Sequence, residues 1–435
     1  MGEHFLNIHS WPQAIMHIDG DAFFTSIEES IHPELRGKAL ITGGERGIVA
    51  CASYAAKAMG VKRGVPLHEA GRICPGLIIL PSDYETYSMF SRRMFNIIRR
   101  YTPQVEEYSI DEAFADITGL RRALHSSYGK IAQDIKREVQ RSLGITVSVG
   151  LSITKVLAKV ASKYEKPDGL TAIPGRKIPE YIRDLPVEKI WGIGPATTNY
   201  LNKMGIRTAL EFADLPEGLV RKKFTKPGIE IWQELRGESV YTVTPEEKSS
   251  YASISKTKTF APATSDPVYL FAHLLRNFES ACIKARRYSL APRKILLYLK
   301  MQNFDYRGSE TKLVRPSVHP IEMAKLVREI FDSIYDPDEI YRGTGVVLLD
   351  LVADSNIQYS LFEDPVKAEK VREIYKAADV LGARFGKHAV HLGGSHEIEK
   401  RGKGRRGEPT VRDQTRLKGE TKRKHLGLPI WHVKV

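Results

Sequence analysis

Gln104-Val105-Glu106-Glu107-Tyr108-Ser109-Ile110-Asp111-Glu112-Ala113-Phe114-Ala115-Asp116-Ile117 reads as a β-hairpin with arms over residues 104–109 and 113–117, and its turn carries two adjacent carboxylates. Upstream, Ala14-Ile15-Met16-His17-Ile18 is a short apolar strand that runs into Asp19-Gly20-Asp21. Between the two, residues 84–101 set Tyr87, Phe90, Met94, Ile97, Ile98 and Tyr101 at helical spacing. After the hairpin a helix over residues 128–143 leads to a strand over 146–151.

This β-α-β-β-α-β order is the ferredoxin-like supersecondary unit. Its first strand pairs beside the hairpin, so Asp19 is expected to meet Asp111 and Glu112 at one point. Such crowding is repulsive unless cations bind there. Oxygen donors with no His or Cys nearby favour magnesium, or manganese, over zinc. An Asp-x-Asp or an Asp-Glu pair means little alone, because acidic turns are common and usually solvated; the expected convergence gives these weight.

The same element order recurs over residues 251–354, with strands expected at 253–260, 294–302, 311–317 and 345–352 and helices at 267–288 and 320–335. Residues 23–82, rich in glycine, read as a small separate lobe inserted in the first unit. Residues 175–240 alternate short helices with Gly and Pro breaks. Within them, 186–190, Trp191-Gly192-Ile193-Gly194-Pro195 and 196–204 have the layout of a helix-hairpin-helix, which points backbone N–H groups at a phosphate.

The chain has 435 residues, with 66 Lys and Arg against 52 Asp and Glu, a formal +14 that favours a polyanionic partner, nucleic acid first. No apolar run approaches the ~20 residues of a spanning helix, and residues 1–13 lack a secretory stretch. Cysteines at 51, 74 and 282 are too sparse for a disulfide framework or a Cys-x-x-Cys zinc site. A cytoplasmic protein is expected. From 401 to 435, 11 Lys and Arg stand against 3 Asp and Glu, a basic tail rather than a domain. It either binds nucleic acid non-specifically or is simply solvated; in the first case its removal is expected to weaken that affinity and flatten the salt dependence.

His17-Ile18-Asp19-Gly20-Asp21-Ala22-Phe23-Phe24 and Tyr108-Ser109-Ile110-Asp111-Glu112-Ala113 resemble the two signature motifs of the Y-family DNA polymerases of the DNA polymerase IV class. Ala52-Ser53-Tyr54-Ala55-Ala56-Lys57, Gly60-Val61-Lys62-Arg63-Gly64, Ser148-Val149-Gly150-Leu151-Ser152 and Lys166-Pro167-Asp168-Gly169 extend the likeness in order and spacing. The resemblance implies a multidomain α+β right-hand polymerase: a ferredoxin-like palm (1–22 and 83–174), small fingers (23–82), a helical thumb with the helix-hairpin-helix (175–240), a linker (241–250), a ferredoxin-like little finger (251–355) and an extension (356–435).

It also implies site roles. Asp19, Asp111 and Glu112, with the Gly20 carbonyl, match the ligands of two magnesium ions, for which manganese substitutes. Asp21 matches a recurrent acidic position and reads as a cap or turn carboxylate. Phe24 matches the sugar discriminator, making deoxynucleoside triphosphates the substrate; Phe23, Tyr54, Lys57 and Lys166 match nucleotide contacts. Lys57 departs from the family's usual Arg, whose fork grips two phosphate oxygens. Gly192, Gly194, Lys256, Lys258 and Arg293 are expected on primer-template DNA. Gln358-Tyr359-Ser360-Leu361-Phe362 resembles the peptide that docks bacterial polymerases on the sliding clamp, with Gln358, Leu361 and Phe362 as anchors. After it, Val371, Ile374, Tyr375, Ala378, Leu381 and Phe385 fit a helix packed on the little finger.

The likeness implies a monomeric, low-fidelity enzyme of lesion bypass, with Gly47 and Ala52 of the small lobe facing the nascent pair. Two rivals share a two-carboxylate palm or its scaffold: a nucleotidyl cyclase, which has no use for a thumb or a clamp peptide, and a non-catalytic clamp-bound adaptor, which would have lost its carboxylates.

Overall fold

Alternation along β1 (Ile15–Gly20) sends Met16 and Ile18 into one apolar core and leaves Ile15, His17 and Asp19 in the opposite pleat phase. The computed structural model describes residues 11–44, 47–246, 251–356, 365–385 and 387–398, in two compact units that part after Glu246. The expected clamp peptide and basic tail lie outside the described residues.

In the first unit β1 is followed by α1 (Phe23–Ile31), β2 (Leu40–Thr42), β3 (Cys51–Ala52), α2 (Tyr54–Ala58), α3 (Leu67–Ile73), β4 (Ile78–Leu80) and α4 (Tyr84–Arg99). Next come β5 (Val105–Glu107), β6 (Glu112–Asp116), α5 (Leu120–Ala123), α6 (Tyr128–Leu143), β7 (Val147–Ser152), α7 (Lys155–Tyr164) and β8 (Leu170–Ala172). The helical end holds α8 (Ile178–Ile182), α9 (Pro195–Lys203), α10 (Ala209–Ala213), α11 (Glu217–Lys223) and α12 (Lys226–Leu235).

The main sheet runs β5-β6-β1-β7-β8, with β1 antiparallel to both β6 and β7. This is the ferredoxin-like order, extended by β8 parallel to β7. On one face lie α4 and α6. Helix α6 turns Ile131, Ile135, Val139 and Leu143 inward, starts on the Ser127 hydroxyl that accepts from Lys130 N, and stops at Gly144. Each such side chain taken from water contributes ~1.5–3 kcal/mol. Residues 40–80 form a three-stranded sheet, β3-β2-β4, with its own small core, whereas Phe23 and Ile27 of α1 belong to the main core.

Helix α7 covers the other face. It went unread in the sequence because Lys155 through Ser162 are all buried, which erases any polar stripe. Gly150 makes its close approach possible: a Cβ there would sit 2.1 Å from Ala158 O. Since Gly150 is the register partner of His17, the same approach brings α7 over His17 and Glu112.

The second unit contains β9 (Ser253–Thr264), α13 (Pro267–Arg287), β10 (Leu290–Met301), β11 (Tyr306–Lys312), α14 (Pro320–Ile334), β12 (Tyr341–Ala353) and α15 (Pro365–Phe385). The element order is the expected one, but the sheet runs β11-β10-β12-β9, not in the ferredoxin-like order of the first unit. The two most apolar strands, β10 and β12, take the centre, and the polar β11 and lysine-bearing β9 take the edges, where charge blunts further pairing. The strand expected at 311–317 lies earlier, at Tyr306–Lys312; its Tyr-Arg-Gly-Ser-Glu-Thr-Lys has no apolar alternation to show it.

Helix α15 exists as expected, but Ile374 and Leu381 are exposed. Val371, Tyr375 and Ala378 are half-buried, the Tyr375 ring stacks on His319 at 5.3 Å, and polar groups add to the docking: Asp379 takes a two-pronged bond from Arg286 at 2.7 and 2.7 Å, and the Tyr375 hydroxyl accepts from Ile321 N at 3.0 Å.

Candidate active site

Asp19 and Glu112 are register partners across β1 and β6, and the Gly20 amide donates to the Asp111 carbonyl at 2.8 Å. Strand pairing alone therefore brings the three carboxylate positions together. Ligand atoms of His17, Asp19 and Glu112 lie within 4.8 Å of one another. Asp111 is not part of that tight set; it lines the same cleft, and its carboxylate accepts from the Ser109 hydroxyl.

The expectation of no His or Cys nearby fails, since Cys51 lines the same cleft and His17 stands beside the carboxylates. His17 is fully buried, with Nδ1 2.7 Å from Ser162 Oγ and Nε2 3.2 Å from Glu112 Oε2. Both ring nitrogens are engaged, so His17 orients Glu112. Its i, i+2 spacing from Asp19 on a strand was the signal available in the sequence. Lys159, also unread, donates to Glu112 Oε2 at 2.7 Å while its ammonium lies 4.5 Å from the Tyr108 ring centroid and 5.3 Å from that of Trp191. Burial would raise the Glu112 carboxyl, but the bonds from His17 and Lys159 and the Lys159 charge outweigh it and bring it down to about 2. Glu112 is thus an anion at any working pH.

Asp21 does not cap α1, whose N-cap is Ala22 without a side-chain bond. Its carboxylate is fully buried, accepting from Ser148 Oγ at 2.7 Å and from Asp168 N at 2.8 Å, with the Tyr54 hydroxyl at 3.4 Å. It joins β1 to β7, to the 166–169 loop and to the small lobe. Burial, then the Asp21 charge, pushes the Tyr54 phenol up, so it remains a donor.

A cleft of about 480 Å³ opens between the carboxylates and the small lobe. Asp19, Gly20, Phe23 and Asp111 form one wall; Ala52, Tyr54 and Lys57 stand on the other, with Lys166 at the edge. Lys62 and Arg63 also line it, two cations the motif reading quoted without giving them a role. Lys166 is ion-paired to Asp19 and lies 3.7 Å from Asp21. The Lys57 ammonium sits 4.3 Å from the Tyr54 ring centroid.

Phe24 is not in that wall: it is half-buried, stacked on Tyr87 at 4.4 Å and edge-on to Tyr84 at 5.5 Å. Gly194 is the N-cap of α9, and Gly192 packs on Ile231. In the second unit Lys256 and Lys258 pair with Val346 and Thr344, both turned to the helix-covered side. Lys294 and Lys300 hold the open pleat phase instead, and exposed Arg293 follows the phase of buried Ile295.

The donors suit a hard divalent cation. Carboxylate oxygens of Asp19, Asp111 and Glu112 and the Gly20 carbonyl offer only oxygen, and the one imidazole nearby is already engaged.

The impB/mucB/samB family matches residues 18–163, its C-terminal domain 251–361, and its helix-hairpin-helix motif 176–206. DNA polymerase IV of Desulfatibacillum aliphaticivorans is 33% identical over 379 residues, covering 86% of this chain and 95% of that one. DNA polymerase IV of Brucella melitensis biotype 1 is 32% identical over 401 residues, covering 92% and 89%. Among solved structures, a Y-family DNA polymerase chimera of Dbh and Dpo4 aligns with TM-score 0.66 at 26% identity, covering 78% of this chain and 99% of that chain. An insertion ternary complex of Dbh DNA polymerase aligns with TM-score 0.53 at 25% identity over the same shares. With family matches in both units and a carboxylate cleft in the first, the chain belongs to the Y-family DNA polymerases of the DNA polymerase IV class, metal-dependent, DNA-directed enzymes of translesion synthesis.

Proposed function

We propose that Asp19, Asp111, Glu112 and the Gly20 carbonyl hold two magnesium ions, with manganese as a substitute, in a palm formed by residues 1–22 and 83–174. Bound there, the ions supply Lewis acidity for the primer 3′-hydroxyl and charge stabilisation for departing pyrophosphate. The chain's own groups do the rest. Lys57 and the Tyr54 phenol on the small-lobe side, with Lys166 beside Asp19, bind the triphosphate and hold its reacting phosphorus near the hydroxyl. His17 and Lys159 fix the Glu112 carboxylate, and Phe23 forms the floor. Phe24, backed by Tyr87, screens the sugar for a 2′-hydroxyl.

Residues 23–82 act as fingers, 175–240 as thumb with Gly192 and Gly194 at the duplex backbone, 241–250 as linker and 251–355 as little finger. Lys256 and Lys258, reaching solvent from the edge strand β9, and the exposed Arg293 supply further backbone contacts, which position the duplex without reading sequence. Gln358, Leu361 and Phe362, in the extension 356–435, dock a sliding clamp and raise the effective concentration of a monomeric cytoplasmic enzyme at primer ends. The single observation that carries this reading is that Asp19, the register partner of Glu112, lines a cationic cleft together with Asp111.

Primer extension with magnesium on undamaged and lesion-bearing templates, beside an Asp111→Ala, Glu112→Ala control, tests it. Template-dependent product on both, absent from the control, is expected. Template-independent product would point to the cyclase instead, and product from the control would remove these carboxylates from the chemistry.

A further inference from the structure

In the second unit, the turn joining β10 to β11 sets Phe304 at φ 75°. That backbone region suits Gly or Asn and disfavours a bulky side chain. The ring gains no burial in exchange, being 59% exposed, and Tyr306 beside it is 60% exposed. Folding accounts for neither ring.

Cations gather around them. The Lys300 ammonium lies 5.1 Å from the Phe304 ring centroid and 5.0 Å from that of Tyr306, its register partner. The Arg342 guanidinium lies 4.1 Å from the Phe304 ring centroid. Tyr298 meets Tyr306 edge-on at 5.5 Å and lies against Gly345, where a Cβ would come within 2.0 Å of its ring. That glycine lets the phenol lie flat on the sheet. The one carboxylate in the turn, Asp305, is bonded to Asn303 Nδ2 at 2.8 Å.

We propose that this hairpin is a stacking platform for unpaired bases of single-stranded DNA. Exposed rings offer π-faces to bases, while Lys300 and Arg342 match the phosphates between them. Bases inside a duplex are already stacked, so a strand without a partner is the ligand this pairing of rings and cations suits. The inference rests on the polymerase reading only in choosing DNA among polyanions.

The test uses the full chain and two fluorescently labelled strands of equal length and charge, one of twelve deoxyadenosines and one wholly abasic, read by anisotropy. Phe304→Ala, Tyr306→Ala should weaken binding of the adenosine strand by roughly 10-fold and leave the abasic strand unchanged. Both rings are exposed, and an unchanged melting temperature verifies folding. Equal weakening on both strands would make the hairpin a backbone contact, and no weakening on either, or no binding of the adenosine strand by the parent protein, would overturn the platform outright. Primer extension by the parent protein reports on the polymerase reading separately.

Discussion

Replacing Lys166 with Met should move metal binding and nucleotide binding in opposite directions. The Lys166 ammonium is ion-paired to Asp19, and the two side chains are 26% and 17% exposed. A pair at that depth is worth on the order of 1–2 kcal/mol, short of a fully buried one. In the free enzyme this lysine competes with a divalent ion for Asp19, so its loss should tighten Mn²⁺ binding by roughly 5- to 30-fold. Methionine keeps the aliphatic stem, and Asp21 retains its bonds from Ser148 and Asp168. If Lys166 passes from Asp19 to the triphosphate during turnover, the nucleotide KM should rise by a similar factor. Mn²⁺ titration by electron paramagnetic resonance reads the first, and steady-state primer extension the second. Weaker Mn²⁺ binding, or a KM that stays put, refutes the exchange.

Three further outcomes follow from single side chains. Phe24→Ala should raise ribonucleotide incorporation by roughly 10- to 200-fold in assays offering each sugar, and should lower the melting temperature because the Tyr87 stack is lost; unchanged discrimination places the screen elsewhere. Lys57→Arg should lower the nucleotide KM by roughly 5-fold, since a guanidinium grips two phosphate oxygens; no drop rejects that role. In the second unit, burial would raise the Glu322 carboxyl, yet bonds from His319 and Ser317 and the Arg315 charge bring it down to about 2. Its folded value lies below the ordinary 4.5, so it stabilises the fold above pH 4.5 and that contribution, on the order of 2 kcal/mol, is lost as pH falls toward 2. Chemical denaturation between pH 5 and 2.5 should show a flatter slope for Glu322→Gln, and parallel slopes would deny Glu322 the effect.

Where the sequence was legible, it was because one physical signal dominated. Helix α6 announces itself by Ile131, Ile135, Val139 and Leu143, and the hairpin by its acidic turn leading into the apolar arm Ala113 to Ile117. The carboxylate cluster followed from topology, since antiparallel pairing of β1 with β6 leaves Asp19 nowhere else to go. Legibility failed where neighbours distant in sequence decide. Helix α7, buried on all sides, has no stripe, and so Lys159 and its bond to Glu112 were invisible. His17 stood in the sequence only as part of an apolar strand and a signature motif, with no role of its own, although it shares a pleat phase with Asp19. Asp21 was expected as a cap or turn carboxylate, but three elements converge on it. In the second unit β11 is too polar to stand out, and the sheet order depends on which strands can tolerate an edge.

Rapid-quench incorporation of one deoxynucleotide by Asp19→Asn and by Glu112→Gln, with magnesium, bears most directly on the claim that these carboxylates carry the reaction. Both changes keep the side-chain shape while removing the charge and turning one acceptor oxygen into a donor nitrogen. The rate should fall by at least about 100-fold in each variant, with the fold intact by circular dichroism. A rate close to that of the unaltered enzyme in either variant would contradict the assignment.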